Sequence, residues 1–306
     1  MRPVPIFDTN IFGHVQDGRI SRRDWRFLLA HRPGHGWPLS AVTTLELLAG
    51  LQEAHSDRFF QRKAQVELAY QLSRGRVLEE PRSLICREVL RVPFPSEEVP
   101  LPVDLLADHI HIVRCAKSLA DILEGRVLVN RLRTKGLGHR GFSGFQPAIL
   151  NDLVSGPKNS WKENIENFAS EIYSTWREHF QKTRRRLPDA LRKDLKVRLV
   201  SEVEKLRFAE TIVRWLGGST EPAALDEMKK RLDAVLEFTT YVLRQFLTRD
   251  YKLENHDSDV YDQFQLHYLA MDRFVLVSED SDMVARTGGS TQAGRIVPFA
   301  RFLSSL

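Results

Sequence analysis

Cysteine is nearly absent: 306 residues contain two, Cys86 and Cys115, at no metal-type spacing. A disulfide framework and a thiolate zinc site are thereby excluded, and a reducing, cytoplasmic compartment is the expectation. Long apolar runs are missing too, and none approaches the length that crosses a bilayer. The first residues lack the charged-then-apolar layout of a secretory leader, so no membrane or export role is expected. Proline (14) and glycine (17) are too few for a low-complexity chain, while 42% hydrophobic residues supply a real core. The length suits one large or two ordinary domains, and no internal repeat is visible. Charge of one sign is scarce except in one region. Residues 83–254 hold 29 Lys and Arg against 24 Asp and Glu, so the whole net excess of +5 lies there.

What is present begins with Val4-Pro5-Ile6-Phe7-Asp8-Thr9-Asn10-Ile11-Phe12. A short apolar run ending in an acid, a hydroxyl and an amide reads as a buried strand. Asp8 then stands at the strand's C-terminal mouth, where parallel α/β sheets bind ligands. Asp8 or Asn10 could equally cap the next helix.

Helical spacing of Trp25, Phe27, Leu28 and Leu29 predicts a helix over 21–30, closed by Gly34 and Gly36. Trp37-Pro38-Leu39-Ser40 reads as a second short strand, and 42–51 as a helix with Leu45, Leu48 and Leu51 inward. Glu46 lies among those leucines, beside the apolar face. A solvated position, or service to the helix dipole, would explain it as well as a site would. A further helix is expected over about 57–73, and Gly75-Arg76-Val77-Leu78 suggests a third strand.

Residues 83–254 differ in character. Prolines 81, 93, 95, 100 and 102 mark their beginning, and helical patterns follow at about 103–124, 148–155, 160–182, 188–216 and 221–249. Between 126 and 151 lie Arg126, Arg131, Arg133, Lys135 and Arg140 with no acid, four glycines, and Phe142 and Phe145. Such a basic loop could bind phosphates and stack bases. Lys182, Arg184, Arg185 and Arg186 open a second basic stretch, which could equally be an ordinary solvated face. His109 and His111 point to different sides of a helix, which favours packing over joint metal binding.

The last section restores α/β character. Asp257-Ser258-Asp259-Val260-Tyr261-Asp262 opens an amphipathic helix, and Asp259 and Asp262, three apart, share one face. Arg273-Phe274-Val275-Leu276-Val277 is a strong buried strand followed at once by Ser278-Glu279-Asp280-Ser281-Asp282. Arg295 to Phe299 is a last strand, and Pro298 places it at the sheet's edge.

Two strands thus end in acids, and Glu46 and Asp262 begin helices that border them. In a parallel sheet these positions fall on one edge. Unpaired carboxylates gathered there would raise one another's pKa. A divalent cation resolves the repulsion, and oxygen-only ligation selects Mg²⁺ or Mn²⁺. Scattered helix caps are the alternative, and Asp257 and Asp282 could be solvated neighbours.

Asp8-Thr9-Asn10 after an apolar strand, Glu46 in a Leu-rich helix, Asp262 opening a late helix and Ser278-x-Asp280 after a second strand resemble, in that order, the PIN-domain nucleases. The resemblance covers about residues 1–80 and 256–306. It implies a three-layer α/β/α sandwich around a central parallel sheet. The division it suggests is a discontinuous nuclease core, 1–82 and 255–306, interrupted by a mostly helical, basic insertion, 83–254. Asp8, Glu46, Asp262 and Asp280 would be the catalytic, metal-binding acids. Asp259 competes with Asp262 for the third place, and Asp262 is preferred for the helix pattern that follows it. Asp282 would be auxiliary through a water, and Asn10 and Ser278 would orient carboxylates. The chemistry implied is in-line hydrolysis of a phosphodiester, leaving 5′-phosphate and 3′-hydroxyl ends. The basic residues (Arg131, Arg133, Lys135, Arg140, Lys182, Arg184, Arg185, Arg186) would hold the strand over a pocket that otherwise repels it.

The leading expectation is therefore a Mg²⁺- or Mn²⁺-dependent endoribonuclease acting on single-stranded RNA, with no membrane partner. RNA is favoured over DNA because most of the resembling family cuts RNA. A toxin or defence role, a protein partner and self-association are left open by one chain. The competing readings are a nucleic-acid-binding or scaffold protein with a weak nuclease core, a DNA-directed nuclease, and a phosphohydrolase of small molecules.

Overall fold

Three parallel strands carry the site, and all three point their C-terminal ends the same way. In the computed structural model, which describes residues 3–52, 56–95, 103–123, 166–167, 202–248 and 258–306, β1 (Val4–Phe7) pairs with β2 (Phe274–Val277), and β2 with β3 (Ile296–Val297). The register sets Phe7 against Val277 and Val277 against Val297. Asp8 and Ser278 therefore leave the sheet side by side, their amides donating to Val277 O (3.0 Å) and Val297 O (3.1 Å). β2 is buried at all four positions, the pattern of a central strand in a parallel sheet.

β1 passes directly into α1 (Thr9–Gln16), then α2 (Arg22–His31). The Ser21 hydroxyl accepts from Asp24 N at 3.1 Å, satisfying one of the free amides at the start of α2. α3 (Ala41–Gln52) and α4 (Ser56–Ser73) follow. The two strands expected at 37–40 and 75–78 reduce to one isolated parallel bridge, Leu39 to Val77. Leu39 N donates to Arg76 O (3.0 Å), and Leu39 O accepts from Leu78 N (2.7 Å). Pro38 has no amide to lengthen that ladder, and α3 begins two residues beyond Leu39.

A short helix, α5 (Pro81–Leu84), continues as a π-type turn over Ile85–Leu90. The helix expected over 103–124 is two, α6 (Val103–Cys115) and α7 (Leu119–Leu123). They part because Asp121 accepts from the amides of Lys117 (2.8 Å) and Ser118 (3.1 Å), a cap in mid-sequence. After α8 (Glu202–Trp215), the expected helix over 221–249 also divides, at Leu232, into α9 (Pro222–Arg231) and α10 (Asp233–Thr248). Gln292 holds the break: its Oε1 accepts from Ala234 N (3.0 Å) and its Nε2 donates to Arg231 O (2.9 Å). The patterns at 148–155 and 160–182, and 188–201 of the next, lie outside the described residues apart from 166–167.

α11 (Asp259–Leu266) tightens into a 3₁₀ turn, His267–Ala270, that leads into β2. α12 (Ser281–Arg286), a 3₁₀ turn at Ala293–Arg295, β3 and α13 (Phe299–Leu303) complete the chain. β3 is at the edge, and Pro298 ends it and caps α13.

One apolar core joins these parts. Phe7, Trp37 and Phe302 form an aromatic triangle with centroids 5.6–5.9 Å apart. Each such buried ring contributes about 1.5–3 kcal/mol relative to exposure. Ile110 and Val113 of α6, and Leu236, Phe238 and Leu243 of α10, belong to the same cluster as Ile6 and Leu276. His109 is fully buried, and His111 packs its ring against Tyr70 at 5.1 Å. Among the described residues no helix is long and apolar enough to cross a membrane.

Candidate functional site

At the C-terminal edge of the sheet, Asp8 is held by donors from three elements. Its Oδ1 accepts from Thr9 N (2.6 Å) and Gln265 Nε2 (3.3 Å), its Oδ2 from Asn10 Nδ2 and Ser278 Oγ (both 2.6 Å). Asp8 is also the N-cap of α1. Cap and site are therefore compatible at this position. Burial pushes its carboxyl up, and Asp280 adds like-charge repulsion, while the bonds from Ser278, Thr9 and Gln265 pull it down.

Asp280 reaches the same place through Ser278, whose Oγ accepts from Asp280 N at 3.0 Å. Asp280 Oδ1 caps α12, accepting from Asp282 N (2.7 Å) and Met283 N (3.1 Å). Glu46 arrives on α3. The Thr43 hydroxyl donates to Phe7 O (2.8 Å), tying that helix to the end of β1, and the Thr9 hydroxyl donates to Glu46 Oε2.

Asp262 completes the group. Among the described residues no hydrogen bond or ion pair reaches its carboxylate. Its pKa is raised well above the usual 3.8, first by burial and then by the charges of Asp8, Glu46, Asp280 and Asp259. Acids from three other segments of the chain therefore lie within electrostatic range of Asp262.

Asp259 is close by but differently engaged. Its Oδ1 is paired with Arg286 Nη1 at 2.7 Å. Ser258 occupies the N-cap position of α11 without a side-chain cap bond. Asp282 is exposed, and Asp257 lies outside the described residues. So do Arg131, Arg133, Lys135, Arg140, Lys182, Arg184, Arg185 and Arg186.

Three participants carried weak signals or none in sequence. Thr9 sits inside the Asp8-Thr9-Asn10 motif yet serves Glu46. Gln265 lies one turn beyond Asp262, on the face that meets Asp8, and is itself fully buried, with an Oε1 that has no hydrogen-bond partner among the described residues. Arg286 meets Asp259 only because α12 packs beside α11 and α10.

All donors here are oxygen, the chemistry of a hard divalent cation. As placed, no group of three or more His, Cys, Asp or Glu among the described residues is arranged to hold a metal ion. Each Asp8 oxygen accepts two hydrogen bonds, and Asp280 Oδ1 accepts two from the first turn of α12. No family model, curated protein or solved structure matches the chain.

Proposed function

We propose that this chain is a Mg²⁺- or Mn²⁺-dependent nuclease of PIN-like type, an endonuclease whose preferred substrate is single-stranded RNA. The observation that carries the reading is Asp262, a carboxylate with no described donor, set among Asp8, Glu46 and Asp280. A like-charged cluster of this kind costs stability in the metal-free protein and is relieved by a divalent cation. The fully buried central strand supports an α/β/α sandwich around the sheet. The preference for RNA comes from the resemblance in the motif order alone.

Asp8, Asp262 and Asp280 would hold the ion, with Glu46 beside them. A cation bound there would activate water and offset the charge of a phosphodiester in flight. The chain's own part is orientation. Asn10, Ser278 and Gln265 fix the Asp8 carboxylate, and Thr9 fixes Glu46. Such supporting bonds to a ligand are typically worth about 10–100-fold in metal affinity or activity. The basic stretches of the insertion would supply the phosphate contacts that an acidic pocket cannot.

The test is incubation of wild type and Asp8→Asn with labelled single-stranded RNA and DNA, with and without Mn²⁺. Cleavage by wild type that needs the metal and vanishes in Asp8→Asn is expected. Undiminished cleavage by the variant refutes the assignment. Binding without cleavage by either protein would favour a nucleic-acid-binding protein with a weak core.

A further inference from the structure

The geometry points to Arg286 as the resident counter-ion of the acid pocket, a positioning residue that withholds Asp259 from the metal and ties the pocket to α10. This inference rests on the metal reading above.

The pair is enclosed. Side-chain exposure is 12% for Arg286 and 4% for Asp259, with Nη1 to Oδ1 at 2.7 Å. The guanidinium also faces two rings of α10, 5.4 Å from the Phe238 centroid and 5.6 Å from that of Tyr241. Rings at this range favour a cation. Arg286 is therefore held from both sides, by an acid of α11 and by aromatics of the helical insertion. Asp259 and Asp262 lie three residues apart on one helical face, yet their partners differ. Asp259 has a fixed positive charge against it. Asp262 has none among the described residues and faces three other acids. A cation entering the pocket thus meets Asp262 as an available carboxylate and Asp259 as a neutralised one.

The choice has a sign that a purely structural ion pair would not have. Replacing Arg286 by a neutral residue removes one positive charge from beside the pocket. Cation binding should then strengthen, even as the metal-free fold weakens. Removing both charges together should restore the wild-type balance.

Mn²⁺ titration by calorimetry, with thermal melts in chelator, tests this on the full chain. Arg286→Gln should bind Mn²⁺ about threefold tighter or more, or take up an additional ion, because a nearby positive charge is gone. The isosteric pair Asp259→Asn with Arg286→Gln should bind within about twofold of wild type, since the net charge is unchanged. Asp262→Asn, as the contrast, should lose about tenfold or more. If the double variant loses as much as Asp262→Asn, Asp259 is itself a ligand and the inference falls. Unchanged or weaker binding in Arg286→Gln overturns it as well. Should Arg286→Gln not fold, the neutral double variant decides by the same criterion. A wild-type protein that gives no Mn²⁺ isotherm removes the metal reading and this inference with it, whereas a normal wild-type isotherm with either adverse result removes this inference alone.

Discussion

Two regions of this molecule bury charge, and they do it in opposite ways. Around Arg82 every element of the balance is present. Its guanidinium pairs with Glu80, which is buried, and lies near the rings of Trp215 (4.8 Å), Phe264 (5.6 Å) and Phe94 (5.8 Å). At the sheet edge, Asp262 lies in the field of Asp8, Glu46 and Asp280, while its neighbour Asp259 is paired with Arg286. The first arrangement joins the 80–95 segment, α8 and α11 as structure. The second carries an excess of acids among the described residues, and under the proposed function a bound cation would offset it. Burial of charge alone therefore does not mark a site; excess of one sign does. The regions are also mechanically linked, since Phe264 of the first lies two residues from Asp262 of the second on α11.

The comparison breaks most sharply at Asp8. Asp8→Asn should lower Mn²⁺-dependent cleavage of labelled RNA about a thousandfold, the loss of several kcal/mol of charge stabilisation, in protein that circular dichroism shows to be folded. Arg82→Ala should act in the other region and on another quantity. It removes the cation paired with buried Glu80 and should cost about 3–5 kcal/mol in urea unfolding, whether or not metal is present.

Acid should separate the regions next. His267, near Arg82, is buried, and burial lowers its pKa from 6.5 to about 4. The unfolded chain then takes up a proton where the folded one refuses it. Its contribution is complete above 6.5 and is lost as pH falls toward about 4, at most about 3 kcal/mol. A pH series of melts should show this loss in wild type and not in His267→Gln.

Asp262 has the reverse sign. Its folded pKa is raised, so the charged form disfavours the fold. Metal-free stability should fall as pH rises from the ordinary value of 3.8 through the raised one. Asp262→Asn should therefore be more stable than wild type in chelator at neutral pH. Mn²⁺ should narrow or reverse that difference by stabilising only the wild type. A less stable Asp262→Asn in chelator would mean that the pocket is already balanced without metal.

Strands and the helices flanking the acids were legible from local pattern. β1 and β2 are short apolar runs that end in polar residues, and period and length suffice to recognise them. The strands expected at 37–40 and 75–78 are a single bridge, Leu39 to Val77, because a bridge and a short strand have the same local sequence. The long helices at 103–124 and 221–249 were overread for a related reason. What divides them is a cap from Asp121 in one case and a bond from Gln292, 58 residues after Ala234, in the other. Periodicity carries no trace of an acceptor as distant as Gln292.

By itself, the sequence determined which residues could be acids at a strand's mouth and the parallel direction their edge required, because apolar spacing and turn chemistry are local properties. Only the tertiary structure decided which acid has a counter-ion. Asp259 and Asp262 look alike in the chain, three residues apart with the same side chain. They differ because α12 and α10 bring Arg286, Phe238 and Tyr241 to one of them. Electrostatic pairing depends on distance in space, and residues so far apart in the chain have no fixed distance until the helices pack.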